Sequence, residues 1–170
     1  CLLLKPAAPR AAPWITVGTM AGLLALAVRA VAGEDAGVTF AGGWGVRSSG
    51  SEAFVVGIAL VLDGLSRLFL LLVAVVGTAS AVYAVRYLEP EPGRPLFHVL
   101  FNLLVAGMNG AVLAGDVFNL YVFVEVASLA SYGLVAYGTG GREVEAAFKY
   151  LVLGTLASTA ILLGVTVLYA

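Results

Sequence analysis

The fold class this sequence predicts is an all-α integral membrane protein of about five transmembrane helices, and three observations lead to it. Of 170 residues, 61% are hydrophobic and 11% charged, where a soluble domain has about 45–50% apolar and about 25% charged residues. Mean hydropathy is +1.03. Five stretches of 18 or more residues carry at most one formal charge each, and about 20 apolar residues suffice for a helix to cross the hydrocarbon layer. Soluble, nucleic-acid-binding and disordered classes are thereby excluded. A net charge of −1 supplies no basic field for a polyanion. The single cysteine, Cys1, excludes a disulfide framework and a cysteine metal site.

The spans follow in order. The first covers 14–31, with Pro13 suited to a helix start and Trp14 to the membrane interface. The second covers 64–85, with Asp63 placed to cap it and Tyr83 and Tyr87 at its far end. The third, 96–114, begins just after Pro95; the fourth, 117–137, ends at Gly138-Thr139-Gly140-Gly141; the fifth covers 143–170. Between the first two lies an extramembrane loop, 33–62, too polar and glycine-rich to span. In it Val38-Thr39-Phe40 and the run from Val55 to Leu62 have strand-like composition, which predicts a short β-hairpin. The chain, 1–170, reads as one membrane domain without an internal repeat. Cys1-Leu2-Leu3-Leu4 before Lys5 looks like the tail of an earlier helix, and the last residues are still apolar, so the chain reads as a fragment. The 21 glycines suit packed membrane helices, in which small residues let backbones approach.

Orientation follows from Lys and Arg. One side holds Lys5, Arg10, Arg86, Arg94 and Arg142; the other holds Arg29, Arg47 and Arg67. Five against three predicts that the loops after the second and fourth spans are cytoplasmic.

Polar residues inside the spans carry the functional argument. Glu125 is the lone acid of the fourth span and lies near the bilayer midplane. Insertion scales put a central charge at about 2.5–3.5 kcal/mol, so such a group is expected to face a protein or water interior. Tyr121, Ser128 and Tyr132, at i−4, i+3 and i+7, make one polar stripe with it. Lys149 lies two turns inside the fifth span, and Glu145 precedes it at the i, i+4 spacing of a pair. From that depth a lysine can snorkel to the interface. Glu125 and Lys149 differ by about 9 Å in depth, so waters or an intermediate group are expected between them. In the third span His98, Asn102, Asn109 and Asp116 share one face. That stripe could order waters, or its Asn residues could hold helices together; Asp116 could instead cap the fourth span. Asp63 and Arg67, one turn apart, are expected to pair. No phosphate loop, nucleophile–base arrangement or metal-ligand spacing is found.

Two runs carry a resemblance. They are Ala106-Gly107-Met108-Asn109-Gly110-Ala111 and Gly115-Asp116-Val117-Phe118-Asn119-Leu120-Tyr121-Val122-Phe123-Val124-Glu125. They closely resemble the antiporter-like subunits of respiratory complex I, a family that includes the large subunits of Mrp-type sodium/proton antiporters and of membrane-bound hydrogenases. Glu145-Ala146-Ala147-Phe148-Lys149-Tyr150-Leu151-Val152-Leu153-Gly154 resembles the helix that follows in that family, and Val61-Leu62-Asp63-Gly64-Leu65-Ser66 the opening of its third helix.

The resemblance implies a helical bundle built around two inverted five-helix repeats, with lead-in helices and the first three of one repeat supplied here. It implies that Glu125 is the family's buried glutamate and Lys149 the lysine of the next helix. The family's main lysine partner for that glutamate lies one helix further on, so this chain is not expected to translocate ions unaided. The expected function is proton translocation, with Na⁺/H⁺ exchange left open, as an antiporter-like subunit. Glu125 and Lys149 would form the relay, and His98, Asn109 and Asp116 a hydrated path. Alternatives are a non-transporting scaffold subunit and a small multidrug exporter. No cofactor or metal is expected in this chain, and any redox chemistry would belong to a parent NADH-quinone oxidoreductase-like or Mrp-type complex. Expected partners are other membrane subunits, the lipid bilayer and H⁺ or Na⁺, with no nucleic acid. The expected location is a bacterial or archaeal inner or plasma membrane, crossed several times.

Overall fold

The structure is a computed structural model and describes residues 11–33, 37–41, 46–49, 52–55, 57–88, 94–138 and 140–169. It contains α1 (Ala12–Ala32), β1 (Gly37–Phe40), β2 (Val46–Ser49), β3 (Glu52–Val55), β4 (Ala59–Leu62), α2 (Gly64–Tyr87), α3 (Arg94–Leu113), α4 (Val117–Val135) and α5 (Gly141–Tyr169). All five helices are long and apolar enough to cross a membrane. The chain is a multi-pass membrane protein.

Three of the five helix starts have a local cause. Pro13 sits in the first turn of α1, where a missing N–H costs nothing. Asp63 and Ser66 close a capping box on α2: Ser66 N donates to Asp63 Oδ1 at 2.7 Å, and Asp63 N donates to Ser66 Oγ at 2.9 Å. Asp116 caps α4, with its Oδ1 accepting from Asn119 N at 2.8 Å. These side chains satisfy N–H groups that a helix end otherwise leaves unpaired.

The loop between α1 and α2 is a nested antiparallel ladder. β1 pairs with β4 in the register Val38↔Val61, and β2 pairs with β3 inside it, Val46↔Val55 to Ser49↔Glu52. The outer pair is the expected hairpin. The inner pair continues it through residues whose composition does not announce strands. The α3–α4 turn docks on this ladder: Gly115 N donates to Ala59 O at 2.9 Å. A Cβ at Gly115 would come within 2.8 Å of Val61 Cγ2, so only glycine fits there.

α1 packs along α2, α3 along α4, and α4 along α5, while α3 also touches α1 and α2. Met20, Val73, Ala81 and Val105 form the buried cluster where α1, α2 and α3 meet. Hydrogen bonds tie the same three helices: Thr78 Oγ1 donates to Met20 O at 3.2 Å and Asn102 Nδ2 to Thr16 Oγ1 at 2.8 Å. Lipid is as apolar as leucine, so close packing and such bonds hold the bundle.

One expected pair does not form. Among the described residues no ion pair joins Asp63 to Arg67: Asp63 is committed to Ser66, and Arg67 Nη1 donates to Gly33 O at the end of α1, at 2.5 Å. A helix C-terminus presents unpaired carbonyls, and a guanidinium answers them.

Candidate functional site

The two flanks of α4 differ in kind. On one, Phe123 and Ala127 meet Gly110 and Gly107 of α3; a Cβ at Gly107 would lie 2.7 Å from Ala127 N, so the two backbones nearly touch. On the other, the Tyr132 hydroxyl lies over Gly154 of α5, and its ring meets Tyr150 edge-on at 4.7 Å. At about 100° per residue, Glu125, Tyr121 and Ser128 fall within about 40° of Tyr132 around the helix. The whole polar stripe therefore lies on the α5 flank. Glu125 is half-buried and Tyr132 buried.

Lys149 stands elsewhere. The α4-facing side of α5 is marked by Ala147, Tyr150, Gly154 and Val165, and Lys149 lies about 100–200° around the helix from each of these. Its side chain is 69% exposed, and Nζ donates to Glu145 Oε1 at 2.5 Å. The i, i+4 spacing has thus produced the expected pair. Among the described residues no ion pair joins Glu125 to Lys149. Tyr132 occupies the interval between their levels, through its contacts with Tyr150 and Gly154.

The stripe on α3 faces a third direction. His98 is wholly buried, and Asn102 Nδ2 bonds both Thr16 Oγ1 of α1 and His98 O. Asn109 lines a cavity of about 370 Å³ with Leu23, Ala27, Leu60, Leu70 and Ala74. Gly107 and Gly110 take the α4 side of the same helix, so His98 and Asn109 turn away from Glu125. Asp116, besides capping α4, borders a cavity of about 870 Å³ with Phe40, Phe118, Asn119, Thr166 and Tyr169. The five candidates are therefore not one cluster.

Two contributors escape sequence reasoning. Gly154 seats the Tyr132 hydroxyl, and its signal is a glycine on the α4-facing side of a span. Thr16 receives Asn102; a hydroxyl in an apolar helix gives no sign of which helix it meets.

A polytopic helical membrane protein with a half-buried acid on one central helix and a lysine on the next is the class these observations define. Similarity to known proteins agrees. Residues 114–170 match the family described as NADH:quinone oxidoreductase/Mrp antiporter, TM. Residues 49–98 match NADH-Ubiquinone oxidoreductase (complex I), chain 5 N-terminus. The chain is 48% identical over 116 residues to NADH-quinone oxidoreductase subunit N of Desulforudis audaxviator, covering 67% of this chain and 23% of that one. It is 44% identical over 127 residues to a subunit of the probable K(+)/H(+) antiporter of Rhizobium meliloti, covering 75% and 23%. In the solved structure of the membrane-bound sulfane sulfur reductase, an archaeal respiratory membrane complex, one chain superposes with TM-score 0.72 at 29% identity, over 96% of this chain and 36% of that one. The chain belongs to the antiporter-like membrane subunit family of complex I and the Mrp antiporters. It spans about a quarter of the length of the curated relatives it matches, 23% in each of these two.

Proposed function

We propose that this chain supplies part of a proton path in an antiporter-like subunit of a multisubunit membrane complex, with Na⁺/H⁺ exchange as the variant reading. The observation that carries it is Glu125, the sole acid within α4, on the flank that α5 covers and in line with Tyr121, Ser128 and Tyr132. A carboxyl at that depth is costly unless it has a task. Glu125 takes up and releases the proton, and Tyr132 is the hydroxyl that reaches toward the level of Lys149. Lys149, held by Glu145, is the next station and faces the surface on which further helices or subunits dock. Asp116 stands at the mouth of its cavity. His98 and Asn109 serve only a separate water path on the far side of α3. Partner subunits supply the conformational input and any redox chemistry. The excess of Lys and Arg supports a cytoplasmic position for the α2–α3 and α4–α5 loops in a bacterial or archaeal cell membrane.

The test is coupled proton flux in the full-length assembly reconstituted in vesicles. Glu125→Ala and Glu125→Gln both abolish flux if the carboxyl carries the proton. Full flux in Glu125→Gln with loss in Glu125→Ala would identify a hydrogen-bonding scaffold instead. That second reading has its own support in the Asn102–Thr16 bond, a polar contact that joins α3 to α1.

A further inference from the structure

We infer that the cavity at the start of α4 is a water-filled vestibule that draws small cations toward Glu125, with Phe118 as the side chain that stands between the two. The inference rests on the proton-path reading above and extends it to the membrane face opposite the α4–α5 loop. The cavity has a volume of about 870 Å³ and lies where the α3–α4 turn meets the ladder, with Phe40 and Ala59 on its border. Leu162, Val165, Thr166 and Tyr169 of α5 form one wall, and Phe118 and Asn119 of α4 another. It therefore occupies the outer end of the α4–α5 seam, the flank of α4 that carries the Glu125 stripe.

Direction and depth connect the two. Phe118 lies within about 20° of Glu125 around α4 and about 10 Å nearer the mouth. Helices joined by so short a loop run antiparallel, so the seat of Tyr132 over Gly154 sets the register of α4 on α5. From that level Glu125 lies about 10 Å toward the mouth and Leu162 about 12 Å. One wall of the cavity thus reaches the depth of the carboxyl. Glu125 itself does not border it; Phe118 and then Tyr121 precede the acid along that flank.

The lining selects the occupant. Asp116 is the one charged group on the wall among the described residues. Its carboxylate caps α4 by accepting from Asn119 N at 2.8 Å and from the Asn119 side-chain amide, and these neutral partners leave its charge uncompensated. A cleft with apolar walls and one sign of charge focuses the field and concentrates counter-ions. Thr166 Oγ1 donates to Leu162 O at 2.8 Å, so toward the cavity the hydroxyl offers lone pairs. Asp116, Asn119, Thr166 and Tyr169 supply the two to four polar partners that a water needs, and each water takes about 30 Å³. A carboxylate on the wall repels a phosphate or carboxylate headgroup, which leaves water and small cations.

Cysteine labelling in the full-length assembly tests this, in variants that also carry Cys1→Ser. The probes are two small methanethiosulfonates, one cationic and one anionic, applied to the face that bears the ladder, each rate taken relative to a free thiol. Thr166→Cys is expected to react with both, and about tenfold faster with the cation. Asp116→Asn, which can still cap α4, removes that preference and leaves Thr166→Cys reactive. Tyr121→Cys is expected to be inert behind Phe118 and to react once Phe118→Ala is added. Leu156→Cys, on the uncovered face of α5, is expected to stay unlabelled. An inert Thr166→Cys overturns the vestibule, as does Leu156→Cys reacting at the same rate. An unchanged preference in Asp116→Asn overturns the attraction of cations, and a reactive Tyr121→Cys beside an intact Phe118 overturns the barrier. Labelling requires no flux, so a failed vestibule and a Glu125 that carries no proton are read separately. Thr166 is an exposed side chain, so its variant reports even where Phe118→Ala fails to fold.

Discussion

Glu125 and Tyr132 stand two turns apart on one flank of α4, and a single hydroxyl separates the two readings of that flank. Tyr132→Phe keeps the ring against Tyr150 and removes only the group over Gly154. If the tyrosine relays protons, flux in the assembly falls by about a hundredfold or more, within the range that positioned proton-transfer groups contribute, while thermal stability in detergent stays near the parent value. Asp63 gives a second prediction at this scale. Ser66, through its hydroxyl and then its N–H, holds the Asp63 carboxyl below the ordinary value of 3.8. A lowered folded-state value means that the cap's contribution is complete above the ordinary carboxylate range and is lost as acid protonates the folded group. Amide exchange at Ser66 should therefore accelerate relative to neighbouring amides below about pH 4, the unfolded carboxylate value, and Asp63→Asn should remove that dependence. The Glu125 stripe is legible in the sequence because its spacings fit one helical face. The partner of Arg67 is not, because spacing allows a pair with Asp63 and cannot reveal that Ser66 has already claimed it.

Among the elements, α3 shows where sequence legibility stops. Its polar stripe is real: Asn102 reaches α1, and Asn109 lines the cavity between α1 and α2. Periodicity gives a stripe and not its neighbour, so His98 and Asn109 can be grouped with Glu125 although they face the other way. Glycines on the opposite side of α3 carry the missing information, since Gly107 and Gly110 mark the approach to α4. Five spans and an outer hairpin can be read because length, apolarity and turn residues are local properties. The inner strands cannot, because Val46–Ser49 and Glu52–Val55 mix small, polar and charged residues and carry little of the β-branched, alternating composition that marks a strand. Two substitutions test the helix contacts. Gly107→Leu drives a side chain into the Ala127 main chain, and overpacking of this kind typically costs about 1–3 kcal/mol; the expected readout is a lower melting temperature in detergent. Gly154→Leu should displace Tyr132 with a smaller loss of stability, because a side chain can yield where a backbone cannot.

For the whole molecule, sidedness is the prediction that topology makes accessible. Gly138→Cys at the α4–α5 loop and Thr39→Cys in β1 lie at opposite ends of the bundle. In intact cells a membrane-impermeant thiol reagent, applied to variants that also carry Cys1→Ser, should label Thr39→Cys and spare Gly138→Cys; the reverse pattern would invert the orientation. α5 is the other feature of this scale. Its 29 residues span about 43 Å, more than the hydrocarbon thickness of about 30 Å, and its outer surface is largely uncovered, with Leu153, Leu156, Leu163 and Val167 all exposed.

The unequal flanks of α4 make it behave like a door. Along the glycine edge it hangs on α3 with no slack, because main chain rests on main chain. On the other edge the Tyr132 phenol sits between α4 and α5, and a side chain of that kind can swing. A push delivered to this bundle from outside is therefore taken up at that phenol, on the carboxyl's own edge, while the hinge holds still.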